Sequence, residues 1–242
     1  MEVTRMAIDL ENLKESRTMR ELKSFPINEQ ELCERYEALY TGAVNDVLRE
    51  MNLLYQTLPN TILPLKDHMK VAGIAFTVKG SKNLIIEDEM EQRAQMLEAI
   101  HDNSVVVWDT SGDDESAQWG EVMTAASKRQ GCRGAVIDGG VRDTELVLNQ
   151  NFPVFNKYRT SNGMMGRFRM IGYQIPIQVG NVFISPGDVV FGDIDGVLII
   201  PRDIAYEVLL RAEEILGHEV EIRNWVKEGI SPTDVVKKGG YF

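Results

Sequence analysis

An arginine and an aspartate stand side by side at positions 142 and 143, directly after a glycine-rich segment. Two interpretations fit this pair. In one, Asp143 caps the following helix, as aspartate commonly does, and Arg142 is a solvated side chain. In the other, Asp143 is an oxygen ligand of a hard divalent cation, and the planar Arg142 guanidinium binds a carboxylate or a developing enolate. The pair alone leaves both interpretations open.

The residues around the pair predict a junction between a strand and a helix. Residues 135–137 form a short apolar run bounded by glycines, which is typical of a strand covered on both faces. Gly139-Gly140 is expected to end that strand, and Thr144 to Asn149 has helical spacing. In open α/β sheets, ligands bind at such junctions.

A second loop is predicted to reach the same edge of the sheet. A strand over Val105 to Trp108, a polar loop over residues 109–114 and a helix over Ser116 to Gln130 precede residues 135–137, which together make a βαβ unit. Gly120-Glu121 lies in the first turns of this helix. Because both loops leave the carboxyl ends of their strands, we expect backbone amides near Gly120 and the Arg142-Asp143 pair to face one crevice.

This arrangement resembles a known signature. Glu121, followed after twenty residues by Arg142-Asp143, is similar to the acidic-x20-Arg-Asp motif of the family that joins class II 4-hydroxy-4-methyl-2-oxoglutarate aldolases to RraA-like proteins, the latter named as regulators of ribonuclease E. Further blocks follow the family's order: ALYTGAVNDVL from residue 38, KVAGIAFTV from residue 70, FPVF from residue 152 and SPGDVVFGDIDGVLIIP from residue 185. The resemblance extends from about residue 30 to residue 203.

The fold class that we predict is α/β, with a parallel βαβ core and an antiparallel hairpin. Ile175 to Ile184 and Val189 to Ile200 are the predicted antiparallel strands, and Asp195-Gly196 is a second hairpin signal. The resemblance implies a layered β/β/α swivelling domain that forms trimers or dimers of trimers. We divide the chain into an N-terminal arm over residues 1–28, helical from Asp9 to Leu22, a domain over residues 29–203, and a C-terminal helical extension over residues 204–242.

The resemblance also implies roles for individual residues. Asp143 would be the direct protein ligand of Mg²⁺ or Mn²⁺, Arg142 would stabilise a pyruvate enolate, and Glu121 would act through a water as the base for the C4 hydroxyl. The backbone amides of Val122 and Met123, next to Gly120, would hold the pyruvate carboxylate. A guanidinium stays protonated in proteins, so Arg142 cannot be the acid or the base.

Two other parts of the chain are candidates for the same site. The basic loop KYRTSNGMMGRFR, residues 157–169, is either a solvated surface loop or a binding loop that holds substrate carboxylates through Arg159 or Arg167. In the aldolases that the chain resembles, an acidic residue from an adjacent subunit completes the site, which implies Asp193 or Asp195 here. Both aspartates are also ordinary turn residues, and for Asp195 that interpretation is the stronger one.

The chain departs from the family pattern at two positions. Glu121 stands where many members have aspartate, and its extra methylene could displace the base or the water that it holds. The aldolase motif continues Arg-Asp-x-x-Glu/Asp, whereas Glu145 here follows Asp143 after one residue. Metal-dependent enolate chemistry is therefore a firmer expectation than any named substrate, and oxaloacetate decarboxylation, which gives the same enolate, is its natural companion.

Composition narrows the class of partner. The formal net charge is -11, which argues against nucleic acid, because phosphate binding needs a basic surface. The two cysteines, Cys33 and Cys132, form no CxxC pair, and no stretch is apolar enough for a membrane span or a secretion signal. We therefore expect a cytoplasmic protein that does not bind a membrane. The resemblance implies a homo-oligomer whose partner is a small 2-oxo acid.

Two competing functions remain from the sequence. One is a non-catalytic RraA-like protein that regulates a ribonuclease by binding it, which suits the acidic surface but leaves the Arg142-Asp143 pair without a purpose. The other is a methyltransferase, a label sometimes attached to this family. The chain lacks a G-x-G-x-x-G nucleotide loop, so we rank the methyltransferase last.

Overall fold

The structure is a computed structural model that describes residues 10–18 and 22–241. Its helices are α1 (Glu11–Arg17), α2 (Glu29–Glu37), α3 (Thr41–Glu50), α4 (Glu89–Ala99), α5 (Glu121–Arg129), α6 (Thr144–Asn149), α7 (Ala205–Lys227) and α8 (Pro232–Lys237), with a 3-10 turn at Arg202–Ile204. Its strands are β1 (Leu63–Pro64), β2 (Val71–Lys82), β3 (Ser104–Asp109), β4 (Ala117–Trp119), β5 (Gly134–Val141), β6 (Val154–Arg159), β7 (Phe168–Tyr173), β8 (Ile177–Val179), β9 (Val182–Ile184), β10 (Val189–Asp193) and β11 (Gly196–Ile200).

The main sheet has the order β1-β6-β5-β3-β2-β10-β11. Strands β2, β3, β5 and β6 are parallel neighbours, and β10 and β11 continue the sheet as an antiparallel hairpin. The segment at residues 56–58 hydrogen-bonds to β11, and β1, which begins at Leu63, pairs with β6. This short stretch of chain therefore links the two ends of the sheet and nearly closes it.

Three apolar clusters define the layers of the fold. Helices α4, α5 and α6 cover one face of the parallel strands, and the β8–β9 hairpin covers the other face through Ile177, Val179, Val182 and Ile184. Helices α2, α3 and α7 pack on β10, β11 and the first half of β2. The predicted α/β class, with its parallel βαβ core and helical ends, is confirmed. The strand predicted at Val105 to Trp108, the helix at Thr144 to Asn149 and the Asp195-Gly196 hairpin are also present.

The helix predicted from Ser116 to Gln130 is wrong at its start. Residues 117–119 are instead strand β4, which pairs with β5, and α5 begins only at Glu121. The side chain of Gln118 explains the extended conformation: its amide donates to the Asp113 carboxylate at 2.7 Å and its oxygen accepts from the Gly140 amide at 2.9 Å. These two side-chain hydrogen bonds, one of them to a residue 22 positions away, outweigh the local helical preference of residues 117–119.

The expected strand end at Gly139-Gly140 is also wrong, because β5 continues through both glycines to Val141. Both positions need glycine for close approach. A β-carbon at Gly139 would lie 2.2 Å from the Gln118 side-chain oxygen, and one at Gly140 would lie 2.5 Å from the Ser116 carbonyl oxygen. The two glycines do not interrupt β5. Their lack of a side chain leaves room for Gln118 of β4, the Ser116 carbonyl and the Tyr158 ring of β6.

Two further predictions differ from the structure. Ile175 to Ile184 is a hairpin, β8 and β9, because Gly180 turns the chain at a φ of 58° that favours glycine. Strand β10 pairs with β2 and β11 rather than with β9. The N-terminal helix predicted from Asp9 to Leu22 is shorter, Glu11–Arg17, and residues 1–9 and 19–21 of the predicted arm lie outside the described residues. In the part of the chain that the structure describes, no helix is long and apolar enough to span a membrane.

Asp188 gives the fold a predicted pH dependence. Its carboxylate accepts from the amides of Ser185 and Arg202 at the start of β10, and burial raises its pKa to about 6. Because the folded pKa is above the ordinary value, the folded protein binds more protons than the unfolded chain between pH 4 and pH 6. This carboxyl group therefore contributes stability that is present at low pH and is lost as the pH rises through about 6.

We expect the free energy of unfolding of the wild type, relative to that of Asp188→Asn, to decrease with rising pH over this range, by at most about 1.4 kcal/mol per pH unit. Urea unfolding of both proteins at several pH values from 4.5 to 7.5 measures the slope. The comparison of slopes is insensitive to a constant offset from the changed hydrogen bonds. Parallel curves for the two proteins would show that Asp188 does not titrate as described.

Candidate active site

Strands β4 and β5 place the two predicted loops side by side. Trp119 pairs with Val141 in the parallel ladder, and the Arg142 amide donates to the Trp119 carbonyl at 3.0 Å. Gly120, the next residue after β4, therefore stands beside Arg142 and Asp143, the next residues after β5. The carboxyl ends of neighbouring strands therefore bring these residues together, as predicted.

Gly120 allows an unusually close approach at this point. A β-carbon on Gly120 would lie 2.9 Å from Oδ2 of Asp143 and 3.4 Å from Cγ of Arg142. The glycine has an extended backbone with φ of -167°, which any residue can adopt, so space rather than backbone conformation requires glycine here. The missing side chain leaves room for the Asp143 carboxylate at the start of α5.

The start of α5 presents unsatisfied donors to the crevice. Gly120 is the N-cap residue and supplies no side-chain capping bond. The amides of Glu121, Val122 and Met123 point out of the helix end without an intrahelical acceptor, and the helix dipole makes this end positive. The Val122 side chain is exposed and that of Met123 is buried, so it is the backbone of these residues that is suited to bind an anion.

The backbone of Asp143 adopts a left-handed conformation. Its φ of 54° and ψ of 33° lie in the left-handed region, which is uncommon for residues other than glycine. Its side chain makes no capping bond to α6, so the simple helix-cap interpretation fails. The carboxylate instead contacts Nε of Arg142 through Oδ2 at 3.3 Å, and both side chains are partly exposed.

The basic loop lies against the arginine of this pair. The Ala117 amide donates to the Asn162 carbonyl at 2.8 Å, which fixes the loop beside β4. A β-carbon on Gly163 would lie 2.7 Å from Nη1 of Arg142, and Nη1 of Arg167 donates to the Gly163 carbonyl at 3.1 Å. Arg142 and Arg167 therefore approach the same glycine.

The other arginine of the basic loop has a structural contact. Nη2 of Arg159 donates to the Leu65 carbonyl at 3.1 Å. Of the two arginines proposed for substrate binding, Arg167 is therefore the one that the structure places next to the arginine of the central pair.

The side chain of Glu121 contacts Gln150. Its carbonyl and carboxylate accept from the Gln150 side chain at 3.1 and 3.4 Å. Gln150 is at the far end of α6, seven residues beyond Asp143, which corresponds to about 10 Å of helix rise. Glu121 is thus the first residue of α5, next to Gly120, and its carboxylate contacts Gln150, which the sequence did not predict.

The two aspartates that were candidates to complete a neighbouring site differ sharply. The Asp193 carboxylate is buried and accepts from the Thr41 amide and hydroxyl, each at 2.8 Å, and from the Asp195 amide at 3.0 Å. It therefore fixes the start of α3 to the β10–β11 turn and is occupied within its own chain. Asp195 is exposed at that turn.

A row of charged side chains crosses the same edge of the sheet. Lys79 pairs with Asp109 at 2.5 Å, and Lys157 pairs with Asp138 at 2.5 Å. Burial raises the pKa of Asp138, although the Lys157 ammonium opposes this shift. Because the row contains equal numbers of each charge, it joins the ends of β2, β3, β5 and β6 without adding net charge to the crevice.

The donor set at Asp143 fits a magnesium ion better than a transition metal. No group of three or more His, Cys, Asp or Glu side chains suited to a metal occurs among residues 10–18 and 22–241. Mg²⁺ is often held by one or two carboxylates and keeps several waters, so a single aspartate at an open crevice is a suitable anchor. The space left by Gly120 next to the Asp143 carboxylate is consistent with this, while the nearby Arg142 side chain competes for one of the two oxygens.

A family model matches the central part of the chain. The model of the RraA-like family, described as Aldolase/RraA, matches residues 41–199, which is more than half of the chain and includes Gly120, Arg142 and Asp143. A protein of Halalkalibacterium halodurans, whose name assigns it provisionally as a 4-hydroxy-4-methyl-2-oxoglutarate aldolase, is 31% identical over 180 residues, covering 74% of this chain and 81% of that protein.

Two further comparisons extend over most of the chain. Protein DlpA of Legionella pneumophila is 30% identical over 219 residues, which is 90% of this chain, but the matched part spans only 34% of DlpA. A crystal structure described as a novel cellulase from microbes of the gut ecosystem is 54% identical, with a TM-score of 0.86, and the match covers 88% of this chain and 96% of that one. By the family match and these relatives, the chain belongs to the RraA-like family, which the acidic-x20-Arg-Asp spacing predicted.

Proposed function

We propose that this protein is a divalent-metal-dependent lyase that cleaves a 4-hydroxy-2-oxo acid to pyruvate through an enolate, and that it also decarboxylates oxaloacetate. The observation that carries the proposal is the close approach of Gly120, at the positive end of α5, to the Arg142-Asp143 pair. The arrangement brings together the backbone amides at the start of α5, the Arg142 guanidinium and the Asp143 carboxylate, which can bind an anion, stabilise an enolate and hold a metal ion.

The substrate's carboxylate is held by the start of α5. The amides of Val122 and Met123 donate to it, and the positive end of the helix dipole favours its charge. Arg167, next to Gly163, adds positive charge for the binding of this carboxylate. These contacts orient the 2-oxo group toward Arg142 and Asp143.

Asp143 would hold Mg²⁺ or Mn²⁺. When bound, the ion supplies Lewis-acid polarisation of the substrate's keto oxygen. Arg142 donates hydrogen bonds to that oxygen as negative charge develops on it, which lowers the energy of the transition state. The ion pair with Asp143 and the contact with Gly163 keep the guanidinium in position before the substrate arrives.

A base takes the proton of the C4 hydroxyl, a carbonyl forms at C4, and the C3–C4 bond breaks. The electron pair of that bond passes into the pyruvate enolate, which is protonated at C3 to give pyruvate. In oxaloacetate, the C3–C4 bond breaks to release carbon dioxide and the same enolate forms, but no hydroxyl proton has to be removed.

Glu121 is the proposed base, acting through a water, and in this role its carboxylate leaves the 3.4 Å contact with Gln150 and turns toward the substrate. Glu121→Gln should lower aldol cleavage by about 10²- to 10⁴-fold, the usual contribution of a general base. Oxaloacetate decarboxylation by the same variant should persist, because that reaction does not need the base. The kcat/KM values for the two substrates test this, and an equal loss for both would instead assign Glu121 a role in binding or structure.

Gly120→Ala should disturb the site without unfolding the protein. The added methyl group has to displace the Asp143 carboxylate, which would lie 2.9 Å away, while the backbone conformation tolerates alanine. We expect the concentration of Mg²⁺ that gives half-maximal activity to rise by about tenfold or more, in the range found when a ligand's position is disturbed. Gly217→Ala, in α7 with no atom within 4 Å of the new methyl group, is the matched control. Unchanged metal dependence in Gly120→Ala would remove Asp143 from the metal site.

The site is completed, in our proposal, at a boundary between subunits of a trimer or hexamer. Asp195 is the better candidate for the neighbouring subunit's contribution, because Asp193 is already bound to Thr41 in its own chain. A mass measurement by light scattering and the activity of Asp195→Asn test these points together.

Two other functions receive less support from the site. A ribonuclease regulator of the RraA kind needs an accessible surface but not the arrangement of Gly120, Arg142 and Asp143. Glycoside hydrolysis, suggested by the description of the structure that is 54% identical, needs two carboxyl groups about 5 to 9.5 Å apart across a sugar bond. In the site described above, the Asp143 carboxylate contacts the Arg142 guanidinium and not a second carboxylate.

The experiment that tests the function is pyruvate release, coupled to lactate dehydrogenase. The substrates are 4-hydroxy-4-methyl-2-oxoglutarate and oxaloacetate, each with Mg²⁺, with Mn²⁺ and after chelation. Metal-dependent pyruvate from either substrate, above the rate without enzyme, would support the proposal. Pyruvate from neither, combined with specific binding of a ribonuclease, would favour the regulator.

A further inference from the structure

A group of exposed apolar side chains, which we call the apolar ledge, lies near the candidate active site. The ledge consists of Leu84, Ile85, Ile86, Met90 and Met165. Their exposed fractions range from 46% for Met165 to 83% for Leu84. Single exposed apolar residues are ordinary, but adjacent ones at the rim of a crevice are typical of a binding surface.

The basic loop joins the apolar ledge to the site. The Asn83 amide donates to the Arg167 carbonyl at 2.9 Å, and a β-carbon on Gly166 would lie 3.8 Å from Ile86. Gly163, at the other end of the same turn, is the residue against which the Arg142 guanidinium packs. Three residues span at most about 10 Å, so the Arg142 guanidinium and Ile86 lie against the two ends of one short turn.

We propose that the apolar ledge receives the substituent on C4, so that the preferred substrates are 4-hydroxy-2-oxo acids whose C4 substituent is an alkyl or aryl group. The inference rests on the proposed function, because the pyruvoyl end of the substrate has to be held by α5 and Arg142. With that end fixed, the remainder of the substrate reaches the rim. Burial of methylene groups against Ile86 and Met165 would favour an alkyl chain over a carboxylate.

Arg167, close to the apolar ledge, is a cationic side chain that would favour a carboxylate on C4 over an alkyl group. Arg167 is exposed and could pair with a second carboxylate, as a dicarboxylate substrate requires. However, Nη1 of Arg167 already donates to the Gly163 carbonyl, and the side chains that adjoin this loop from residue 84 to residue 86 are all apolar. A second copy of this chain is the other occupant that would suit the ledge, and the test separates it from substrate.

The test compares three substrates by the appearance of the pyruvate methyl signal in proton NMR, with Mg²⁺ present. 4-Hydroxy-2-oxoheptanoate has a propyl group on C4 and yields pyruvate and butanal. 4-Hydroxy-2-oxoglutarate has a carboxylate there and yields pyruvate and glyoxylate. Oxaloacetate has no C4 substituent and serves as the reference.

We expect kcat/KM for the heptanoate to exceed that for the glutarate by about tenfold or more, which is the scale of discrimination that apolar contacts provide. Ile86→Ser and Met165→Ser should each lower the ratio of kcat/KM for the heptanoate to that for oxaloacetate by several-fold to about tenfold. The control is Val236→Ser in α8, where an equally exposed apolar side chain is lost far along the chain, and its ratio should match the wild type.

Three results would overturn the inference. One is a preference for the glutarate. Another is that Ile86→Ser lowers kcat/KM equally for all substrates and also lowers the molecular mass measured by light scattering. That result would make the ledge a contact between subunits. The absence of pyruvate from every substrate, oxaloacetate included, would overturn the proposed function and the inference together, whereas turnover of oxaloacetate without the expected preference overturns the inference alone.

Discussion

Arg142→Ala is expected to lower the rate of pyruvate formation by about 10²- to 10³-fold, as the loss of one donor to a developing oxyanion does. The loss should appear in kcat for both oxaloacetate and the aldol substrate, because both reactions pass through the same enolate. Arg142 lies at the edge of the crevice with its side chain about half exposed, so its removal creates no buried cavity. The ion pair with Asp143 that is lost contributes at most about 1 kcal/mol to stability.

Arg142→Lys is the matched variant, because it keeps the charge but not the planar pair of donors. We expect it to recover only a small part of the lost rate. Urea unfolding of all three proteins should give similar free energies of unfolding. Wild-type turnover by Arg142→Ala would exclude this side chain from the chemistry and leave the family's regulatory function as the better account.

Asp143→Asn is expected to prevent the binding of Mg²⁺, so that adding Mg²⁺ no longer raises the activity. Changes in residues that only support a metal ligand cost about 10- to 100-fold in affinity, so loss of the ligand itself should exceed that range. Asparagine is the informative replacement, because it tolerates the left-handed φ of 54° better than most residues do. The backbone at the start of α6 is therefore preserved while the negative charge is lost.

Calorimetric titration with Mn²⁺ measures the effect without relying on activity. The wild type should bind and Asp143→Asn should not, while circular dichroism shows the same fold for both. Asp143→Ala is a useful companion, since alanine adds backbone strain at this φ and should lower stability as well. Equal metal affinity in the wild type and Asp143→Asn would place any metal elsewhere.

Much of the site could be predicted from sequence because it depends on one topological rule. Parallel strands end at the same edge of a sheet, so the loops that follow residues 105–108 and residues 135–137 had to be close once both strands were recognised. Strand β4, which positions Gly120 beside Arg142, was predicted as helix instead. The helix-cap alternative for Asp143 could be rejected only with the structure, because the decision rests on a backbone angle and a missing capping bond.

Other features depend on contacts between residues that are distant in the chain. Asp193 was a candidate for a neighbouring site, but its carboxylate binds Thr41, which lies 152 positions earlier. The orientation of Glu121 depends on how α5 and α6 pack, which brings Gln150 within reach across 29 positions. Gly139 and Gly140 have the composition of a turn, yet their small size admits side chains from β4 and β6. The residues next to Asp193, Glu121 and the two glycines in the sequence give no sign of these contacts, so sequence patterns could not predict them.

The most direct test of the central claim is exchange of the pyruvate methyl protons in D₂O, because it detects enolate formation without requiring the physiological substrate. Proton NMR follows the loss of the methyl signal with enzyme and Mg²⁺, after chelation, and with Arg142→Ala. We expect exchange by the wild type that requires the metal and falls at least about 100-fold in Arg142→Ala. Exchange at the rate of buffer alone in the metal-loaded wild type would contradict the account.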